Sequence, residues 1–402
     1  MKMLRLREWS TSHALALTPP ERDALRSVLR ATIQPTSGTT DRYDITPGNT
    51  VGAALVGDTT ILVEPKIPIS RVLFLLGYAA DPSAWREDDA TLAAAADLVP
   101  GVAALFTTLC DRALRRGMLA SYHAVDADLP TVRGRINLAE QLRTRPGLDV
   151  PLAVRFDEHD EDITENQLLL AAALKVGNLP LRGNALRRSL HRLVDSLQNV
   201  TALTYRPAAI PAVSWTRLNL HYRPAVELAR MLLRMQSPDL AAGSTETPSL
   251  TIDMAALFET FVRAALRDAL HASDTQFPSG GNCPSLALDA LRRVRVKPDL
   301  SYWPSGKCSF VGDVKYKRNT GSGHSDDLYQ LLAYATATGL PEATLIYAHG
   351  PPEHRTHQIP IAKVHLHARH LDLTKSPKEL LEQIRHLSLQ VEVAASKGSS
   401  AP

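Results

Sequence analysis

Residues 296–317 read VKPDLSYWPSGKCSFVGDVKYK, two apolar-patterned runs around a turn. Asp299 opens the first run, and Asp313 and Lys315 stand two residues apart in the second. If LSYW and CSFVGDVKYK are paired strands joined by PSGK, the two-residue alternation puts Asp313 and Lys315 on one face and Val314 on the other. Asp299 can then lie opposite Asp313. Two carboxylates ~5 Å apart repel by roughly 3 kcal/mol at an effective dielectric near ~20. A hard divalent cation offsets that repulsion; Mg²⁺ takes one or two carboxylates and keeps several waters, with Mn²⁺ an alternate. Lys315 would orient or activate a water, and the cation would stabilise charge on a phosphate during in-line attack. The chemistry such a group supports is phosphodiester hydrolysis. The plain alternative is a hairpin with solvated polar positions.

The flanking segments must position these groups. IDMAALFETFVRAALRDAL has a helical period, with Phe258, Phe261, Val262, Ala265, Leu266 and Ala269 on one face and Glu259 at its border. A second helix, DLYQLLAYATATG, carries Gln330 and Tyr334 four apart on one face, and ATLIYAHG reads as a further strand. Upstream, RRVRVKPD predicts a strand with Arg293, Arg295, Lys297 and Asp299 on one face. With Lys317 and Arg318, this basic row would steer a nucleic-acid backbone toward the carboxylates. It would equally serve as a charged edge that blocks aggregation.

Composition bounds the rest. The 402 residues suggest two or three domains with ample core material. The net charge of +3 is too small to announce nucleic acid by itself. Cys110, Cys283 and Cys308 are far apart and odd in number, so they form neither a disulfide framework nor a zinc motif. No apolar run approaches a membrane span and MKMLRLREWS has no signal-like apolar core, so the expected location is the cytoplasm. The expected fold class is α/β, in α+β multi-domain form. A β-containing N-terminal domain covers 1–85, and a mainly helical middle region covers 86–245, with helices from Gly101 to Gly117 and near 165–176, 184–198 and 222–235. A C-terminal α/β domain covers 246–390, followed by a flexible tail, 391–402. The Ser, Thr, Pro and Gly content of 237–249 sets the second boundary.

Pro298, Asp299 and Asp313-Val314-Lys315 resemble the PD-(D/E)xK nuclease pattern. Members of that superfamily often carry a helical Glu and a Gln-x-x-x-Tyr, here Glu259 and Gln330 with Tyr334. IDMAALFETFVRAAL, KPDLSYW, VGDVKYKR and DLYQLLAYA, with upstream VEPKIPISRVLFLLGYA, VRGRINLAEQL and FDEHDEDITENQLLLAAAL, further resemble the McrC family of McrBC modification-dependent restriction systems. The resemblance implies a restriction-endonuclease-like C-terminal domain with Asp299, Asp313 and Glu259 as metal ligands, Lys315 positioning the attacking water, and Gln330 and Tyr334 supporting. It implies double-stranded DNA with modified cytosine as substrate. Its implied partner is a McrB-like AAA+ GTPase ring, which holds the GTP and engages the N-terminal part. Two other readings remain open: a non-catalytic adaptor that activates such a ring, and a stand-alone nuclease of repair or RNA processing.

Other motifs count for less. PSGKCS imitates a phosphate-binding loop, but it lacks the upstream Gly, has Cys308 where a hydroxyl belongs, and sits in a predicted hairpin turn. DEHDED at 157–162 precedes the helix beginning near Thr164, where acidic groups offset the helix dipole. His349, His354, His357, His365, His367 and His370 match no zinc spacing and read as surface or packing groups.

Overall fold

The computed structural model describes residues 2–82, 97–145, 149–179, 181, 184–235, 249–278, 283–318, 325–350 and 355–399. The chain is a mixed α/β protein that divides into two compact units, one of residues 1–105 with 235–402 and the other of residues 106–234.

The first unit opens with β1 (Lys2–Arg7), β2 (Ser12–Ala16), α1 (Pro19–Ser27), β3 (Thr32–Pro35), β4 (Arg42–Thr46), β5 (Thr50–Val56), β6 (Thr59–Glu64) and α2 (Ile69–Ala80), and α3 (Leu98–Leu114) leads out of it. β5 and β6 form a hairpin whose turn places Gly57 at φ +55°, which a residue without Cβ adopts freely. Val51, Ala53, Ala54, Ile61, Leu62 and Val63 are buried, so these strands read as near-continuous apolar runs.

The second unit contains β7 (Ser121–Leu129), β8 (Arg135–Ile136), α4 (Leu138–Thr144), β9 (Leu152–Asp160), α5 (Thr164–Gly177), α6 (Asn184–Ser196) and α7 (Arg223–Arg234). α5, α6 and α7 lie where their periodicity predicts, whereas the short helix α4 has no counterpart in the sequence reading. The middle region is nevertheless not mainly helical at its start, because β7, β9 and β8 form an antiparallel sheet in that order. In β7 only Val125, Ala127 and Leu129 alternate as half-buried positions, after four exposed residues, and none is fully buried, so the strand signal is short. Residues 157–160 of the acidic run close β9, leaving only Glu161 and Asp162 ahead of α5.

The chain then returns to the first unit with β10 (Ser249–Asp253), α8 (Met254–Ala269), β11 (Leu286–Ala287), β12 (Arg295–Val296), β13 (Leu300–Tyr302), β14 (Phe310–Arg318), α9 (Ser325–Thr338), β15 (Glu342–His349), β16 (Arg355–Ile359), β17 (Val364–His370) and α10 (Pro377–Ser399). β10 joins the N-terminal sheet, giving the order β1-β6-β5-β10. The stretch expected to stand alone at 1–85 therefore shares a sheet with a strand from 249–253, and its compact unit extends across both ends of the chain. The segment proposed as a boundary, 237–249, lies outside the described residues except for Ser249. At the other end, α10 runs through the expected tail to Ser399, with Ile384, Leu387 and Val391 buried.

A five-stranded sheet in the order β13-β14-β15-β17-β16 carries the candidate site. β14, β15 and β17 are parallel, and β13 and β16 are antiparallel edges. Crossover helix α9 packs Leu331, Tyr334 and Ala335 on Val311, Leu345 and Tyr347 of one sheet face. The other face of β14 meets α8 and α10. The strand expected at 293–299 is reduced to Arg295–Val296, paired with β11 outside this sheet. Arg293, Arg295 and Lys297 are all exposed.

Candidate active site

The register Leu300↔Gly312, Ser301↔Val311 and Tyr302↔Phe310 places Asp299 at the mouth of the β13–β14 pair, beside Asp313. One Asp299 carboxylate oxygen accepts the Val314 backbone N–H at 2.9 Å, so the strand itself fixes that side chain. Asp313 and Lys315 share the sheet face that meets α9, as alternation requires. Lys315 Nζ stands 2.6 Å from Asp313 Oδ2 and donates to Gln330 Oε1 at 3.1 Å. Gln330 Nε2 donates to the Tyr334 hydroxyl at 2.6 Å, and that hydroxyl donates to the Lys297 carbonyl at 3.1 Å. A chain of contacts thus runs from Asp313 through α9 to the segment leading into Asp299.

The electrostatics are set by burial. Asp313 is 1% exposed; its Oδ2 stands 2.6 Å from the Lys315 ammonium, while its Oδ1 meets no donor. Desolvation, reinforced by the adjoining Asp299 carboxylate, outweighs Lys315 and pushes the Asp313 pKa up to about 7. Burial works against the charge on Lys315, but Asp313, Asp299 and Asp327 overcome it and raise its pKa. Burial, with Asp313 and Asp299 nearby, pushes the Tyr334 phenol up to about 12, so it remains a hydrogen-bond donor at neutral pH.

Glu259, expected beside the two aspartates, is held by Arg263 one turn further along α8. The same guanidinium donates from Nε and an Nη to the Asp299 main-chain carbonyl at 3.2 and 3.1 Å. Arg263 was not singled out by sequence reasoning; its position four residues after Glu259 was the available signal. Among the described residues, no group of three or more His, Cys, Asp or Glu side chains is placed to hold a metal ion. The three-carboxylate set is therefore not assembled, and the donor set at this point is Asp299 with Asp313. That pair suits a hard cation that takes one or two carboxylates and fills the rest of its sphere with water. The buried Oδ1 of Asp313, which meets no donor, is an atom that such an ion would satisfy.

Arg263→Met is expected to unfasten Glu259 and leave the Asp299 carbonyl without these donors. Because Glu259 is 35% exposed, solvent discounts the ion pair and the stability loss should be ~1–2 kcal/mol. Urea denaturation checks this.

Lys317 pairs with Asp327 of α9 at 2.8 Å, and the Tyr347 hydroxyl donates to the same carboxylate at 2.9 Å. This buried link was also missed in sequence. Arg318 ends β14, its side chain outside the described residues, as is His354. His367, one of the late histidines, contacts Thr356 at 3.0 Å and Glu342 at 3.6 Å.

A family model described as McrBC 5-methylcytosine restriction system component matches residues 45–348. The chain belongs to that family. The match spans strands from the N-terminal sheet through β15 and includes every residue from Glu259 to Tyr334 discussed above. Among curated relatives, the type IV methyl-directed restriction enzyme EcoKMcrBC of Escherichia coli K12 is 21% identical over 292 residues, covering 67% of this chain and 81% of that protein. A chain from the refined half-complex of the tetradecameric assembly of Thermococcus gammatolerans McrB AAA+ hexamers with bound McrC superposes with a TM-score of 0.57. It is 17% identical, and 97% of this chain and 99% of that chain are covered, so the likeness is one of fold across the whole family member. No helix among the described residues is long and apolar enough to cross a membrane.

Proposed function

We propose that this chain is the DNA endonuclease component of a McrBC-like, modification-dependent restriction system, and that it works with a McrB-like AAA+ GTPase ring whose GTP hydrolysis it stimulates. The observation that carries the nuclease reading is the buried Asp313 carboxylate adjoining Asp299, with Oδ2 against the Lys315 ammonium and Oδ1 meeting no donor. Family membership supports the restriction setting, and the related complex contains McrB AAA+ hexamers with McrC bound. The substrate in this reading is double-stranded DNA carrying modified cytosine.

Asp299 and Asp313 would hold Mg²⁺, or Mn²⁺ in its place, which when bound supplies charge stabilisation to the phosphate. Lys315, steered by Asp313 and Gln330, orients the attacking water. Gln330 and Tyr334 keep that ammonium over the sheet, and Arg263 holds the backbone of Asp299 rigid while retaining Glu259 at the border. The exposed Arg293, Arg295 and Lys297, together with Lys317 and Arg318, would offer phosphate contacts, whose binding would weaken steeply with salt.

The test is cleavage of methylcytosine-containing DNA by the purified chain with its partner ring, GTP and Mg²⁺. Lys315→Met should lower the cleavage rate by ~10²–10⁴-fold while GTPase stimulation persists. Cleavage by Lys315→Met at the wild-type rate would overturn the site assignment. Loss of GTPase stimulation in the same variant would point to failed assembly and overturn the proposed separation of roles.

A further inference from the structure

Among the buried ionisable groups that the proposed chemistry does not use, Glu8 and Asp327 both touch the strand that carries Asp313 and Lys315. Glu8, the residue after β1, is 0% exposed. Its carboxylate accepts the Lys66 backbone N–H at 2.9 Å, the Trp9 indole N–H at 3.1 Å and the Tyr316 hydroxyl at 3.3 Å. All three partners are donors, so the site is built for an acceptor-only carboxylate. A buried carboxylate gathering three separate segments is costly unless each bond is made.

Tyr316 occupies a special place on β14. The β14–β15 register runs Lys315↔Tyr347 and then Arg318↔His349, so three steps on β14 match two on β15. The extra residue falls at Tyr316–Lys317, immediately after Lys315. A bulge bends its strand and re-aims adjacent side chains. Here the bulge is gripped from both faces of the sheet. Lys317 reaches Asp327 on the α9 side, and Tyr316 reaches Glu8 on the other, its ring packed against Phe258 and His349 at centroid distances of 6.1 and 6.3 Å.

We propose that Glu8 is a positioning residue for Lys315: through the Tyr316 hydroxyl it clamps the β14 bulge and so fixes the direction of the lysine toward Asp313. The N-terminal sheet and the candidate site are then one mechanical unit, joined at the end of β1. This inference rests on the nuclease reading, in which Lys315 positions water.

Tyr316→Phe tests it, because it removes the hydroxyl and keeps the packed ring. Trp9→Phe is the control: it removes another donor to Glu8 without touching β14. Tyr316→Phe in the full chain with its partner ring should lower kcat by roughly 10- to 100-fold at saturating Mg²⁺, as expected for a misplaced reactive group. Mg²⁺ affinity by calorimetry should match wild type, the melting temperature should move by no more than ~4 °C, and Trp9→Phe should cleave normally. After reductive ¹³C-methylation, the dimethyl-lysine resonance lost in Lys315→Arg should shift in Tyr316→Phe and stay in place in Trp9→Phe. Wild-type cleavage by Tyr316→Phe, an unmoved Lys315 resonance, or equal losses in both variants would overturn the clamp. Failure of the nuclease reading looks different: Asp313→Asn would then cut DNA like the wild type, whatever the behaviour of Tyr316→Phe.

Discussion

Asp313→Asn should abolish cleavage and at the same time stabilise the metal-free protein. The substitution keeps the shape of the side chain but removes a charge that burial and Asp299 both oppose. Charge stabilisation at a phosphoryl centre amounts to several kcal/mol. At ~1.4 kcal/mol per tenfold in rate, its loss should slow cleavage by at least ~10³-fold. The stability effect has a definite sign. A carboxyl whose pKa is raised from 3.8 to about 7 on folding binds its proton more tightly in the folded state. Its stabilising contribution is full below pH 3.8 and is lost as pH rises through about 7, so the metal-free wild type should weaken across that window. Above pH 7 the deficit should be on the order of 4 kcal/mol, at ~1.4 kcal/mol per pK unit. Asp313→Asn removes the titration, so its stability should be flatter with pH and higher at pH 8. Chemical denaturation from pH 4 to 8 with a chelator present measures both curves; parallel curves for wild type and variant would remove the electrostatic account. Added Mg²⁺ should recover stability in the wild type and not in the variant.

Gly52→Ala is expected to cost more than any surface change in the first unit. Gly52 lies in β5 at φ +131°, a backbone conformation that L side chains rarely adopt. A Cβ there would stand 2.0 Å from the Leu250 carbonyl oxygen and 3.0 Å from Thr251 Cα, backbone atoms of the partner strand β10. Relief requires β10 to move away. Strain and a lost strand pairing together should cost ~3–5 kcal/mol. The damage would reach the site, because β10 leads directly into α8. Asp253 ends β10 and caps α8 by accepting the Ala255 and Ala256 N–H groups, and Asn49 donates to that carboxylate at 3.0 Å. α8 carries Glu259 and Arg263. Hydrogen exchange should therefore show early deuteration of 249–256, and cleavage should fall with it; unchanged exchange in β10 would contradict this reading of the close approach.

The legible part of the fold was the part encoded by short repeats. The period of α5, α6, α7, α8 and α9 announced their positions to within a few residues, because a helix makes its hydrogen bonds within itself and shows one apolar stripe. Strand alternation likewise put Asp313 and Lys315 on one face and Val314 on the other. The sheet of β7, β9 and β8 left only a short mark, since its apolar alternation is confined to residues 125–129 and 154–156 and the rest of both strands is largely polar. The pairing of β10 with β5 joins residues some two hundred positions apart, and nothing local in Ser249–Asp253 names Thr50–Ala54 as its neighbour.

The same division runs through the candidate site. By itself the sequence determined the residue types on β14 and α9, their facing directions, and enough motif order to mark the family. Only the tertiary structure decided that Asp313 loses its water, that Glu259 turns to Arg263, and that Glu8 holds Tyr316 at the bulge. Facing direction follows from backbone geometry over two to four residues. Desolvation and the choice of an ionic partner depend on which remote segments close over a side chain, and that is settled by packing.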